Sequence, residues 1–224
     1  MRGAQSVPLF TFIEMEKIRN EKHFRELCDW VIQKDERFKP VLEEFGYPPF
    51  WFRSPNFTTL VLTILEQQVS LAAASAMFKR LQEFIGEITP ENLLRLNDTA
   101  LRKCGFSRQK IEYTKTMASE IAEKRLNLEK LNQVSEEEVR TTLIEIKGVG
   151  DWTIDMYVLM SLHFADIFPP GDLATIKAVY ELKLVNPKSS KKEITQFMEK
   201  FSPYRSAATY LLWHFYLEKR NLSL

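Results

Sequence analysis

Asp172 is the residue whose position in this sequence most clearly indicates a chemical role. It directly follows the loop-forming stretch Phe168-Pro169-Pro170-Gly171, where the next helical pattern begins. An aspartate at that position can cap the helix, because its side chain accepts a backbone N–H. A carboxylate held at the mouth of a cleft can also stabilise positive charge that develops on a sugar. The position of Asp172 in the sequence allows both roles.

A second informative stretch is Lys147-Gly148-Val149-Gly150, which separates two segments with a helical apolar pattern. Two glycines around one aliphatic residue permit a tight hairpin between helices. The second helix then begins with backbone N–H groups that have no partner. These donors and the helix dipole can bind a phosphate without any side-chain charge. Taken alone, the same residues also fit an ordinary helix–helix turn with a glycine cap.

The composition argues against several other chemistries. Two cysteines cannot form a Cys₄ zinc or iron–sulfur site, and the three histidines show no metal-ligand spacing. No Cys or Ser nucleophile is evident, so catalysis falls to carboxylates. The net charge of +1 is low for a protein that binds nucleic acid. Basic residues do cluster, however, around 102–115 and 188–192.

The elements that must position these residues are helices. Apolar residues recur at helical spacing over most of the chain, as in 24–32 and 57–65, and no alternating strand of useful length occurs. Ser135 with Glu138, and Ser190 with Glu193, have the spacing of capping boxes. Further helix starts are indicated at Ser54-Pro55, Ser70, Thr89-Pro90 and Ser107, and a last helix is expected from about Pro203 to Lys219.

These patterns predict an all-α fold. We expect two helical lobes with the active-site cleft between them. One lobe is a central bundle at 58–167 that contains the hairpin, and the other combines 1–57 with 168–224. Asp172 lies in the connecting loop.

The hairpin, the Pro-Gly loop and the aspartate, in this order and spacing, resemble the helix-hairpin-helix-Gly/Pro-Asp (HhH-GPD) superfamily of DNA glycosylases. The likeness covers about residues 53–218. Residues 65–70, Leu-Glu-Gln-Gln-Val-Ser, are similar to the family's Gln-Gln-hydrophobic-Ser element, although a glycine or serine is more common where Glu66 stands. Residues 202–214 resemble the last helix of the alkylation-repair branch, the 3-methyladenine DNA glycosylase II group.

This resemblance implies hydrolysis of the N-glycosidic bond of alkylated purines, of the 3-methyladenine or 7-methylguanine type, in base-excision repair. The catalytic carboxylate would be Asp172. Gln68 would fill the space that the flipped base leaves, and Lys147, Gly148, Val149 and Gly150 would contact DNA. The base pocket would be lined by Trp213, Gln67, Trp152 and Tyr157.

Trp152 bears on the mechanism. In bifunctional members of the family, a lysine directly before the threonine of the second hairpin helix forms a Schiff base with the sugar. Here Trp152 precedes Thr153, so the resemblance implies that water is the nucleophile and that no strand cleavage follows. Two alternatives stay open: a glycosylase of the same fold for deaminated or mismatched bases, and a non-catalytic helix-hairpin-helix DNA-binding module.

The resemblance also implies a monovalent cation, Na⁺ or K⁺, on the backbone carbonyls of Ile144, Ile146 and Val149. No cofactor is required and no iron–sulfur cluster is expected. The expected partner is double-stranded DNA with a flipped damaged base, bound by a monomer. No apolar run reaches the roughly 20 residues that cross a bilayer, and no signal peptide is evident. We therefore expect a cytoplasmic protein, at the nucleoid in a bacterium, or a nuclear one in a eukaryote.

Overall fold

A computed structural model describes residues 17–222 of the chain. The prediction of an all-α fold is confirmed, since the β pairing within these residues is one isolated bridge between Lys17 and Phe164. Two short 3₁₀ helices lie at Glu36–Phe38 and Glu199–Phe201. The α-helices are α1 (Glu21–Lys34), α2 (Lys39–Phe45), α3 (Phe57–Glu66), α4 (Leu71–Ile85), α5 (Pro90–Leu94), α6 (Asp98–Lys103), α7 (Arg108–Ala122), α8 (Leu128–Leu131), α9 (Glu136–Ile144), α10 (Asp151–Met160), α11 (Leu173–Glu181), α12 (Lys191–Met198) and α13 (Arg205–Glu218).

Most of the helix caps that the sequence predicts are present. Both capping boxes are present, and each remaining cap accepts a backbone N–H three residues later. Helix α3 is an exception: its cap is Asn56, which accepts the Thr59 N–H at 3.0 Å. The carbonyl of Ser54 instead accepts the N–H of Asn56 and the hydroxyl of Thr59. The last helix begins at Arg205 rather than at Pro203.

The chain divides into two compact units. Phe52–Leu162 forms one of them and holds α3 to α10. Helix α3 is central to this unit and packs against α4, α7 and α10. Its apolar face is fully buried, which places the end of α3 firmly beside the hairpin helices.

The other unit combines the described residues up to Trp51 with those from His163 onward. Helix α13 is its centre and packs against α1, α2 and α11. Almost every residue of α13 is buried, as expected for a helix that is apolar on all sides. The predicted N-terminal helix is present as α1, with Phe24, Leu27, Cys28 and Val31 in the core.

A partly buried ion pair joins the two helices of the hairpin. Arg140 on α9 donates to Asp155 on α10 at 2.6 Å and to Glu136 at 2.6 Å. Burial raises the pKa of Asp155 to about 6, against the hydrogen bond from Arg140, which lowers it. The folded protein therefore holds a proton on Asp155 more tightly than the unfolded chain does.

This pKa makes the contribution of Asp155 to stability depend on pH. The stabilisation is fully present below the unfolded pKa, near 4, and is lost as the pH rises through about 6. Relative to Asp155→Asn, we expect the wild type to lose roughly 1–3 kcal/mol of unfolding free energy between about pH 4 and pH 7. Urea unfolding of both proteins across this range measures the difference, with the exposed Glu129→Gln as control. Parallel pH profiles for wild type and Asp155→Asn would contradict this expectation.

Candidate active site

Asp172 caps helix α11 and is held by donors from two helices. Its Oδ1 accepts the backbone N–H of Thr175 at 2.8 Å and the indole N–H of Trp213 at 2.9 Å. The Thr175 hydroxyl donates to the main-chain carbonyl of Asp172 at 2.9 Å. The carboxylate is therefore fixed in orientation as well as in position, which is what electrostatic catalysis requires.

Trp213 lies next to Asp172, and only 5% of it is exposed. Its ring packs edge-on against Trp51 and Tyr210, with centroids at 6.4 and 5.7 Å. Tyr210 in turn stacks on Trp51 and donates to its carbonyl at 3.1 Å. This aromatic cluster fixes the indole N–H that holds Asp172. The bond to Asp172 was not predicted from the sequence; the base-pocket role of Trp213 stays a prediction.

The predicted hairpin connects α9 to α10. Gly148 has a φ of +90°, and a Cβ added there would lie 2.0 Å from Cγ of the Tyr113 ring. Both conditions require glycine. Gly150 is the N-cap of α10 and no side chain caps this helix, so its first backbone N–H groups remain available to an anion. Val149 is buried and donates to the carbonyl of Ile146 at 3.0 Å.

Lys147 is exposed at the start of the hairpin but pairs with Glu112 of α7. Its contact with DNA stays a prediction. The backbone donors at the start of α10 carry no side-chain cap, and their role in binding a phosphate also stays a prediction.

The Gln67-Gln68 turn lies against this hairpin. Gln67 follows the last residue of α3, and its amide Nε2 donates to the carbonyl of Gly148 and to the hydroxyl of Thr153, both at 2.9 Å. Gln68 is exposed and adopts the left-handed region at a φ of +58°, which is uncommon for a residue other than glycine. A concavity of about 560 Å³ opens between this turn, the start of α7 and the hairpin.

The two remaining candidates for the base pocket lie on α10. Trp152 is half-buried at the start of the helix. Tyr157 is fully buried in the core of the Phe52–Leu162 unit, and its hydroxyl has no hydrogen-bond partner in the described chain. In this conformation Tyr157 offers no exposed ring face to a base. Its role in the base pocket stays a prediction.

The carbonyls expected to hold a monovalent cation lie where α9 ends. The last carbonyls of a helix have no intrahelical partner, and Ile144 closes α9. The Ile146 carbonyl accepts the Val149 N–H, which leaves its second lone pair for a ligand. Neutral oxygens of this kind suit a hard cation, so the donor set fits. No group of three or more His, Cys, Asp or Glu within the described residues could hold a metal ion.

Residues 61–203 match the family of HhH-GPD superfamily base excision DNA repair proteins. The chain therefore belongs to this superfamily, as the order of hairpin, loop and aspartate predicts. None of the helices between residues 17 and 222 is long and apolar enough to cross a membrane.

Several relatives fall in one branch of the superfamily. The DNA-3-methyladenine glycosylase of Saccharomyces cerevisiae is 27% identical over 87% of this chain and 80% of its own length. DNA-3-methyladenine glycosylase 1 of Schizosaccharomyces pombe is 30% identical, over 80% of this chain and 82% of its own. A solved structure of the S. pombe 3-methyladenine DNA glycosylase with abasic DNA superposes with a TM-score of 0.70, at 27% identity, over 80% of this chain and 89% of that one.

Proposed function

We propose that this protein is a DNA glycosylase that hydrolyses the N-glycosidic bond of alkylated purines of the 3-methyladenine or 7-methylguanine type. The observation that carries the proposal is the fixed carboxylate of Asp172, which both Thr175 and Trp213 hold in the Pro-Gly loop of a superfamily member. The names of the relatives support the choice of alkylated purines.

The chemistry follows from the charge of the damaged base. Alkylation at N3 or N7 leaves the purine cationic, so it departs readily with the electron pair of the bond to C1′. Positive charge then develops on the sugar, and the fixed negative charge of Asp172 stabilises it. Water adds to C1′, and its proton passes to the Asp172 carboxylate or to solvent.

In this proposal, the Phe52–Leu162 unit binds the DNA. The backbone N–H groups at the start of α10 would bind a phosphate of double-stranded DNA, and Gln68 would fill the space of the extruded base. A Na⁺ or K⁺ ion on the carbonyls of Ile144, Ile146 and Val149 would add positive charge beside that phosphate. The protein would act where the genomic DNA lies, at the nucleoid or in the nucleus.

The direct test is base release from methylated duplex DNA, with chromatography of the freed bases. We expect 3-methyladenine and 7-methylguanine among the products. Duplexes that carry deaminated or mismatched bases form the comparison panel. Release from that panel alone would favour a same-fold glycosylase of another lesion class. DNA binding without release of any base would favour a binding module.

We expect this reaction to proceed without a covalent intermediate, because Trp152 stands where bifunctional members have the attacking lysine. The prediction is checked with borohydride, which traps a Schiff base between protein and DNA. Under conditions that release base, no protein–DNA adduct should appear on a denaturing gel. A trapped adduct would show that an amine of this chain attacks the sugar.

The bond from Trp213 to Asp172 should also matter for the rate. A hydrogen bond to a charged group is worth about 1.5–3 kcal/mol, so Trp213→Phe is expected to slow base release about 10-fold to 100-fold in single turnover. Trp51→Phe is the matched control, since it alters the same aromatic cluster and leaves that bond in place. Equal rates for the two variants would mean that the indole N–H contributes nothing.

A further inference from the structure

Glu66 departs from the usual pattern at the Gln-Gln turn, and the structure shows its partner. Arg53 makes two parallel hydrogen bonds with the Glu66 carboxylate, Nη1 to Oε2 and Nη2 to Oε1, both at 2.7 Å. Both side chains are largely buried. A bidentate arginine–carboxylate pair is both strong and geometrically specific. The acid beside a DNA-facing turn is therefore neutralised, and Arg53 ties the last residue of α3 to the segment that precedes this helix.

A buried lysine holds the same helix end from the other side. Lys110 of α7 is only 7% exposed. Its Nζ donates to three main-chain carbonyls, those of Ile64 and Leu65 at 2.8 Å and that of Gln67 at 3.0 Å. An ammonium group has three donors, so all three are used. A cation at this place also complements the negative end of the α3 dipole.

The charges of this cluster support one another. Burial lowers the pKa of Lys110, whereas the nearby charge of Glu66 raises it. Glu66 therefore favours the ammonium form that makes the three bonds, and Arg53 balances the charge of Glu66. Removing the charge of Glu66 would leave the two cations, Arg53 and Lys110, without a counter-charge in the cluster.

The cluster lies directly before the left-handed residue Gln68. A non-glycine residue in this backbone region persists only when its surroundings hold it there. Lys110 fixes the carbonyl of Gln67, and the Gln67 side chain is bound to Gly148 and Thr153 of the hairpin region. The backbone on the N-terminal side of Gln68 is thus fixed at both its main chain and its side chain.

We propose that Arg53, Glu66 and Lys110 form a turn clamp that presets the Gln67-Gln68 turn for extrusion of the damaged nucleotide. The proposal rests on the proposed function. The three residues are positioning residues that act through the backbone of the turn. Their loss should impair extrusion more than it impairs bond cleavage in a nucleotide that is already unpaired.

The test uses Lys110→Met, because methionine keeps an unbranched side chain of similar length and cannot donate the three hydrogen bonds. Lys79→Met is the control, because Lys79 is an exposed helical lysine that lies outside the basic clusters and pairs with Glu83. Glu66→Gln is a milder second variant, since it keeps the shape of the side chain and removes its charge. Single-turnover base release is measured on a paired lesion and on the same lesion opposite an abasic analogue, which has no base pair to break.

Lys110→Met should slow release from the paired lesion about 10-fold or more, and release from the unpaired lesion by about threefold or less. Glu66→Gln should show the same ordering with a smaller loss, and Lys79→Met should match the wild type. Equal losses on both substrates, or a Lys110→Met protein with wild-type rates, would overturn the proposal. If Lys110→Met does not fold, the ratio of the two rates for Glu66→Gln decides.

A separate measurement keeps this test distinct from the test of the function. The fluorescence of 2-aminopurine rises when its neighbours unstack, and it needs no base release. The wild type and Lys79→Met should raise this signal on binding a duplex that contains the probe, and Lys110→Met should not. If no protein releases alkylated bases, the function proposal fails, and this signal still tests the turn clamp.

Discussion

Asp172→Asn is expected to lower the rate of base release by about 10²-fold or more. Asparagine caps helices about as well as aspartate, so its side-chain oxygen can still accept from Thr175 and Trp213. The variant therefore keeps the shape of the side chain and the cap of helix α11. It loses the negative charge that stabilises the cation developing on the sugar. The loss should appear in single-turnover rates at saturating enzyme, and affinity for abasic DNA should stay within about threefold because the hairpin is untouched.

Asp98→Asn is the control for this substitution, because Asp98 is a first-turn carboxylate in the Phe52–Leu162 unit with an exposed side chain. Thermal unfolding of Asp172→Asn should resemble that of the wild type. Wild-type base release by Asp172→Asn would mean that Asp172 caps helix α11 and has no catalytic role.

Gly148→Ala has the second large expected effect, on stability and on DNA binding together. The new Cβ would lie 2.0–2.4 Å from three atoms of the Tyr113 ring, and alanine disfavours a φ of +90°. Overpacking and backbone strain together should cost roughly 2–4 kcal/mol of unfolding free energy. Affinity for duplex DNA should fall about 10-fold or more, because the donors at the start of α10 move with the hairpin.

Two further variants distinguish the clash with Tyr113 from the backbone strain as causes of the lost stability. Gly86→Ala shares the positive φ, at +72°, but meets no atom within 4 Å, so it reports backbone strain alone. Removing the ring in Gly148→Ala/Tyr113→Ala relieves the clash and should restore part of the stability. Urea unfolding and fluorescence anisotropy with labelled duplex measure the two effects. Unchanged DNA affinity in a folded Gly148→Ala protein would show that the hairpin does not anchor DNA.

The sequence by itself was sufficient for features whose cause lies within a few residues. The capping boxes at Ser135 and Ser190 depend on a spacing of three residues, and both are present. The hairpin glycines and the aspartate after the Pro-Gly loop also follow from local chemistry, and their order predicted the superfamily. Near α3 the local pattern was ambiguous, and Asn56 rather than Ser54 caps the helix because its side chain reaches the Thr59 N–H.

Only the tertiary structure decided which side chains meet. Trp213 and Asp172 are 41 positions apart, Lys110 and the carbonyls at the end of α3 are 43 to 46 apart, and Gln67 and Gly148 are 81 apart. Helical periodicity predicts which face of a helix is buried, but not which neighbour covers that face. Partners such as these depend on how the helices pack in three dimensions. The chemical groups could therefore be predicted residue by residue, whereas the contacts that hold them in place could not.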